Sequence, residues 1–423
     1  SVIKPVGIGK TVGNPNVPSF ASWILIPNGT DVNISVNQGQ PTIFENISLA
    51  PVQPALPELK DIKPPKFEKD KNIYSSDKQY PGIFAEVEKT KQKRGQDCTL
   101  LWIYPYQYNP VTKTLYYYPE LNVLVNFSGT AKSIPTNLIS ENHLNSLKSM
   151  AINGAEVVDY ELGISDNTRN YRDENAELLI ITHQNFIDAA ETLAIWKEKK
   201  GIETEIITTD IIGNTTYQIE SYINDAYDNW ETAPSYLLLL GDSEFLPTHY
   251  INEHPYTGGG QGHTGTDIFY SDTSYLPDYI ADMGFGRIPV DTAAEADSVI
   301  ARIIRYERNP PSESSYYTNA VTAGAFQDGT APDSPPNTIA DRRFCKTSED
   351  ARNFLNNTGY NAERIYTTYN GYGGGQINPT YWSDIDWAVF ENDIPGQEIP
   401  SELQRPTYPW SGSGTDVQNS INA

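Results

Sequence analysis

Residues 266 to 290 read TDIFYSDTSYLPDYIADMGFGRIPV, and Asp267, Asp272, Asp278 and Asp282 crowd into this one stretch. Carboxylates at that density repel one another unless something positive sits among them. They precede what reads as a buried strand with a Gly-Arg pair. Two answers are open: a divalent cation, or a solvated acidic loop on an acidic protein. The spacing is not that of an EF-hand, since no D-x-D-x-D-G run is present.

Other reactive side chains are few. The only cysteines, Cys98 and Cys345, stand far apart and define no disulfide framework. Cys345 reads as a buried or surface thiol, not as half of a dyad with His263. His249, His254 and His263 surround the Gly-rich loop TGGGQGH. Three histidines can hold zinc, and loop histidines beside a cleft are the plainer reading. The loop matches neither a Walker motif nor G-x-G-x-x-G, and no G-x-S-x-G elbow is present.

These groups need elements to hold them. Between 176 and 240 the runs ELLIIT, IETEIIT and SYLLLLGD alternate with two segments of helical spacing, 185–201 and 216–230. Strand–helix–strand–helix–strand predicts right-handed crossovers and a mainly parallel sheet flanked by helices. Ligands gather at the carboxyl ends of such strands, which here present His183, Thr208, Thr209, Gly241 and Asp242. A further amphipathic helix follows in TAAEADSVIARIIRYERNP, then a strand AVTAGAF, a helix in SEDARNFLNNTGY and a strand AERIYTT. The last fifty residues read as a Gly-, Pro- and Trp-rich loop closing on DVQNSINA, which resembles the opening of a helix.

The N-terminal part differs. SFASWILIPNGTDVNISVN sets two β-like runs about a Pro-Asn-Gly turn, and residues 100 to 129 form another pair about Asn109-Pro110. The expectation is an all-β sandwich over residues 1–132, a polar linker over 133–175 with about one helical turn, and an α/β domain over 176–423. The fold class expected is therefore α+β and multidomain.

Composition excludes several functions. The chain of 423 residues has 38% apolar and 20% charged residues, which is a folded protein. A formal charge of −24 repels phosphate and argues against a general nucleic-acid surface. No apolar run approaches the ~20 residues that cross a bilayer. The start, SVIKPVGIGK, carries no signal-peptide h-region, so the chain is either cytosolic or already processed.

Together, YLLLLGDSEFLP, the 266–290 stretch, EADSVIARIIRYERNP and TAGAFQD resemble, in order and spacing, the gingipain-type cysteine peptidases of family C25. GIFAEVEKTKQKRGQDCTLLWIYPYQYNP, with its Arg94-Gly95, is similar to the propeptide region of that family. The resemblance covers nearly the whole chain. It implies a secreted zymogen in which a β-sandwich pro-domain packs on a caspase-like α/β domain stabilised by calcium. A cysteine thiolate, assisted by a histidine, would attack protein or peptide substrates, with backbone N–H groups holding the oxyanion.

The resemblance also implies roles for residues. The calcium ligands would be the carboxylates of Asp278 and Asp282 and the carbonyls of Tyr275 and Ile280, a set that suits a cation taking six to eight oxygens. Asp242 would lie near the catalytic centre, or simply cap the turn after its strand. A family acid beside the catalytic histidine has Phe326 in its place here, with Asp328 two residues on. Asp341, near Cys345, is the nearest acid to the specificity position, and basic specificity is not assigned. No His-Gly dipeptide occurs among the five histidines, so the His/Cys dyad is expected beyond residue 423, in the same polypeptide or in an associated C-terminal chain. The alternative is a catalytically inactive, peptidase-like structural or binding subunit of an extracellular assembly. Arg169 and Arg172, in the polar segment, suit a processing site.

Overall fold

In the computed structural model, which describes residues 5–7, 11–54, 66–164, 171–251, 264–274, 278–326, 339–340, 344–368, 380–383 and 395–422, the run LLIIT forms the strand Leu178–Thr182. Every residue of it is buried, which requires cover on both faces and places it inside a sheet. Its neighbours are Thr204–Thr208 and Tyr236–Leu240, and the latter pairs with Gly284–Ile288. All three pairings are parallel and in continuous register, as the crossover helices predict.

Strand side chains alternate between faces. Leu178, Ile180 and Leu240 meet Phe186, Ala189, Leu193 and Ile300 on one side. Leu179, Ile181, Leu237 and Leu239 meet Ile219, Ile223, Ala226 and Tyr227 on the other. The helices are Ile187–Lys199 and Ala293–Arg308 for the first face and Thr216–Asn229 for the second. Each fully buried Leu or Ile contributes about 1.5–3 kcal/mol relative to exposure. Glu307 joins the first two helices, accepting from Trp196 Nε1, Lys197 Nζ and Lys200 Nζ at 2.8, 2.7 and 2.8 Å.

The N-terminal region is antiparallel. Ser19–Leu25 pairs with Gln96–Ile103, which also pairs with Ala85–Val87 and Lys91–Lys93. Asp31–Gln38 pairs with Leu121–Ser128 along eight residues each. Tyr106–Asn109 and Thr114–Tyr117 form a hairpin that adds Thr42–Phe44. The runs on either side of the Pro-Asn-Gly turn are strands, but not partners of each other. The turn carries the chain from one ladder to another, and residues 100–129 hold parts of four strands.

The linker expectation for 133–175 is corrected. Its described part holds the helices Glu141–Met150 and Gly154–Leu162, and the strand Arg172–Asn175. Their apolar stripes are short, diluted by Asn and Ser in the first helix and by acidic residues in the second, so the periodicity is faint. Tertiary packing makes them stable instead: Leu147, Val157 and Val158 enter a core with Leu25 and Cys98 that is continuous with the inner face of the parallel sheet. The Asn153 side chain also bonds Leu25 twice, accepting from its N–H at 2.8 Å and donating to its carbonyl at 2.9 Å.

The described residues form two compact units, one up to Glu307 and one from Arg308 onward. Everything above belongs to the first. In the second, Asn319–Phe326 and Asn361–Thr368 are parallel neighbours, with the helix Phe344–Asn357 between them in sequence. The C-terminal stretch read as a loop contributes core: Trp382, Leu403 and Trp410 are buried with Cys345 and Tyr366. Gly412 permits this, because a Cβ there would stand 2.7 Å from Ile365 Cγ2 and 2.9 Å from Tyr366 O. DVQNSINA lies in the helix Gly414–Asn422 as expected, apart from Ala423, which lies outside the described residues. Helices and sheets occur in both units, so the fold is α+β.

One carboxyl of the first unit is fully buried. Glu161 Oε1 accepts from Asn28 N at 2.5 Å, and the Asn28 side chain donates to Gly95 O at 2.7 Å. Burial pushes the Glu161 carboxyl from its ordinary 4.5 up to about 7, against the lowering effect of the Asn28 N–H. The folded state thus binds this proton more tightly than the unfolded chain does. The stability Glu161 supports is full below about pH 4.5 and is lost as pH rises to about 7, on the order of 3 kcal/mol. Glu161→Gln should therefore be near neutral at acid pH and stabilising by roughly 2–3 kcal/mol at pH near 8, read by urea unfolding at both pH values. Equal effects at both would refute the assignment.

Candidate functional site

Each of the four acids finds a different partner. Asp267 pairs with the Arg of the Gly-Arg motif: Arg287 Nε and Nη2 donate to it at 2.8 Å each, and Thr248 Oγ1 adds a third bond at 2.8 Å. Burial pushes the Asp267 carboxyl up, but Arg287 and Thr248 outweigh it and hold the group below its ordinary range. Arg287 Nη1 also donates to the carbonyls of Gly241 and Leu246 at 2.9 Å. Asp272 folds its own loop, accepting from the N–H groups of Ser274, Asp278 and Tyr279 at 3.2, 2.9 and 2.8 Å.

Asp278 and Asp282 reach into the N-terminal region. Asp278 Oδ1 accepts from Ile280 N and Oδ2 from Gln92 N, both at 2.9 Å. Asp282 Oδ2 accepts from Thr273 N and Oγ1 at 2.9 and 2.8 Å, while Oδ1 accepts from Arg94 N. Burial raises the Asp282 carboxyl, these bonds lower it, and Asp272 raises it; the net shift is upward. Two ammonium groups complete the contact: Lys91 Nζ donates to Asp278 O at 2.9 Å and Lys93 Nζ to Ala281 O at 3.0 Å.

The donors come from one hairpin. Lys91–Lys93 and Gln96–Ile103 pair across the two residues Arg94 and Gly95, with φ of 45° and 76°. Two positive φ values are what a two-residue hairpin turn of the right twist requires. Glycine meets this freely, and a Cβ on Gly95 would press within 2.7 Å of Leu138 Cδ1. Arginine in that conformation is strained, and its side chain supplies the compensation. The guanidinium is buried, donating to Leu138 O at 3.0 Å, to Ala233 O at 2.9 Å and to Pro234 O, with its carbon 5.7 Å from the Tyr227 ring centre. Pro234 and Ser235 lead directly into the strand Tyr236–Leu240.

Of the four expected ligands, three fall within the described residues. Tyr275 lies outside the described residues. Asp278, Ile280 and Asp282 share the loop, and the N–H of Ile280 is directed at Asp278. Among the described residues no three His, Cys, Asp or Glu side chains converge as a metal cluster. Sequence reasoning missed Lys91, Gln92, Lys93 and Thr273. The Arg-Gly dipeptide between alternating runs was the available signal for a hairpin, but nothing local says where its tip docks.

At the carboxyl ends of the sheet, Asp242 acts as a turn cap. Its Oδ1 accepts from Ser243 N at 2.6 Å, and its carbonyl accepts from Phe245 N and Leu246 N at 3.0 and 2.9 Å. His183 likewise caps a turn, its Nδ1 accepting from Asn185 N at 3.2 Å. Asp328, Asp341, His254 and His263 lie outside the described residues. Both cysteines are buried, and burial pushes each thiol up to about 12. The charges acting on Cys98 are Asp278, Asp97 and two lysines, and on Cys345 it is Glu349. Neither thiol is an activated nucleophile.

Comparison with known proteins matches the chain to two family models in succession. The propeptide model of family C25 matches residues 1–161, and the peptidase family C25 model matches residues 171–392. Gingipain R2 of Porphyromonas gingivalis (strain ATCC BAA-308 / W83) is 25% identical over 273 residues, covering 62% of this chain and 34% of the relative. Gingipain R1 of the same species is 24% identical over 336 residues, covering 76% and 31%. A solved complex of Porphyromonas gingivalis RgpB pro- and mature domains is similar at 24% identity with a TM-score of 0.29, covering 36% of this chain and 77% of that one. The chain thus spans about a third of the curated relatives it matches. With a family model matching over half its length, the chain belongs to peptidase family C25 and carries that family's propeptide region ahead of the peptidase region.

Proposed function

We propose that this protein is the zymogen of a gingipain-type cysteine endopeptidase, secreted, stabilised by calcium, and acting on protein or peptide substrates. In this reading the N-terminal ladders form a β-sandwich propeptide, and the parallel sheet begins a caspase-like α/β domain. The observation that carries it is the Arg94 hairpin: a loop of the propeptide region buries its guanidinium against the entry to a central strand of the peptidase region. A segment destined for removal is thereby anchored by charge-assisted bonds as well as by shared core.

Chemistry of this class requires a thiolate near a histidine. Cys98 and Cys345 are buried, protonated at neutral pH and acted on by carboxylates, so the reading assigns the nucleophile and its histidine to residues outside these 423. Calcium would be held by the acidic loop through Asp278 and Asp282. A location outside the cell follows from the family resemblance; no described helix is long and apolar enough to cross a membrane.

Two tests follow. In the full-length protein, Cys98→Ala with Cys345→Ala should leave peptide hydrolysis, blocked by iodoacetamide, within about twofold of the parent, since neither thiol is activated. Loss of hydrolysis in a folded double variant would place the nucleophile inside this chain. Full-length protein that never hydrolyses peptides, even after the propeptide is removed, would instead favour an inactive scaffold subunit. Arg94→Ala strips donors from three carbonyls and should cost about 3–5 kcal/mol in urea unfolding, with Arg94→Lys in between because an ammonium cannot reproduce the fork. Parent-like stability of Arg94→Ala would mean the hairpin does not anchor the propeptide.

A further inference from the structure

The helix Glu141–Met150, in the propeptide region, turns one imidazole inward. His143 is 6% exposed, and its Nε2 is shut off from solvent with no hydrogen-bond partner among the described residues. The ring stands at the joint between the two regions. A cavity of about 380 Å³ is lined there by Lys93, Arg94 and His143 on one side and by Tyr236, Asp282 and Phe285 on the other. The hairpin thus faces the ring with two cations, and the strand Tyr236–Leu240 offers a neutral phenol. Asp282 has its own oxygens on Thr273 and on the Arg94 N–H. The helix itself adds only the uncharged Asn142 and Ser146 to the lining. An imidazolium carries two N–H donors, where the neutral ring carries one. Protonation therefore leaves a charged Nε2–H without an acceptor, whichever nitrogen held the first proton, and sets a third cation beside Lys93 and Arg94.

We propose that His143 makes the contact between the propeptide and peptidase regions acid-labile. The contact holds while the ring is neutral; once protonated, the ring reaches water only if the helix and the Arg94 hairpin part from the peptidase region. Burial, then Arg94 and Lys93, push this imidazole from its ordinary 6.5 down to about 3, against a backbone hydrogen bond to Arg94. The docked state thus binds the proton less tightly than the parted one. The His143 contribution is complete above about pH 6.5 and weakens about tenfold per pH unit below it, down to about pH 3. The inference needs neither a nucleophile nor a metal, only the contact between the two regions.

Hydrogen–deuterium exchange on the whole chain, corrected for the intrinsic exchange rate at each pH, tests it in the parent and in His143→Gln. Glu161 and Asp282 bind their protons more tightly in the folded state and so act in the opposite sense, which makes the difference between the two proteins the quantity to read. From about pH 7.5 to about pH 4.5, protection of the peptide carrying Gln92 and Arg94 should fall about 100-fold more in the parent than in the variant. A difference below about tenfold would overturn the proposal, since a merely structural role shifts both pH values alike. NMR of the parent with ¹³C-labelled histidine needs no variant. At about pH 5 one of the five imidazoles should still be neutral in the folded protein; five that all titrate near their ordinary pKa would refute the switch even if His143→Gln did not fold.

Discussion

A guanidinium taken out of water must recover its hydration, and in this protein the arrangement of two regions follows from how Arg94 does so. Desolvation pulls its pKa down, while Tyr227, Asp282 and Glu177 oppose that; guanidinium stays protonated in any case. Three backbone carbonyls take its donors in a planar fork that only arginine offers. Two of them belong to residues 233 and 234, at the entry to the strand Tyr236–Leu240, and one to Leu138 in the segment after the antiparallel ladders. Removing any one of these elements leaves a buried donor or acceptor unpaired, which costs about 1–3 kcal/mol or more when a charge is involved. The hairpin, the propeptide helices and the parallel sheet are in this sense mutually dependent.

With the Arg94 tip fixed, the rest of the hairpin has little freedom. Lys91–Lys93 pairs in register with Gln96–Cys98, so the amides of Gln92 and Arg94 and both ammonium groups arrive together at the acidic loop. This explains how the chain tolerates four acids in one stretch. Asp267 has a bidentate arginine, Asp272 three amides of its own loop, and Asp278 and Asp282 share their lone pairs between the loop and the hairpin. Charge density that looks costly in one dimension is dispersed over separate partners in three.

The elements that read clearly in the sequence share one property: their signal lies within their own span. LLIIT and YLLLL are apolar on both faces, so a central parallel strand is the reading open to them. The helices Thr216–Asn229 and Ala293–Arg308 carry continuous apolar stripes. The helices Glu141–Met150 and Gly154–Leu162 do not, and Leu147, Val157 and Val158 become structural only because Leu25 and Cys98 lie opposite them. Trp382 and Trp410 sit in Gly- and Pro-rich surroundings that suggest a loop, yet they build the core of the second unit around Tyr366 and Cys345. Strand partners in the N-terminal region were equally hidden, because the runs flanking Pro27–Gly29 pair with residues roughly seventy to a hundred positions away.

What the sequence alone determined is the strongly patterned local elements, the parallel character of the first sheet, the acidic loop as the place to look, and the family, whose motifs are contiguous. The tertiary structure decided what those acids bind. It assigned Arg287 to Asp267, brought Lys91, Gln92, Lys93 and Arg94 to the loop across some 185 residues of chain, and withdrew both thiols into apolar surroundings. The physical reason is that propensity and periodicity act over a few residues. The partner of a buried charge is chosen by whatever the packed core brings within about 3 Å of it, and no local pattern records that choice.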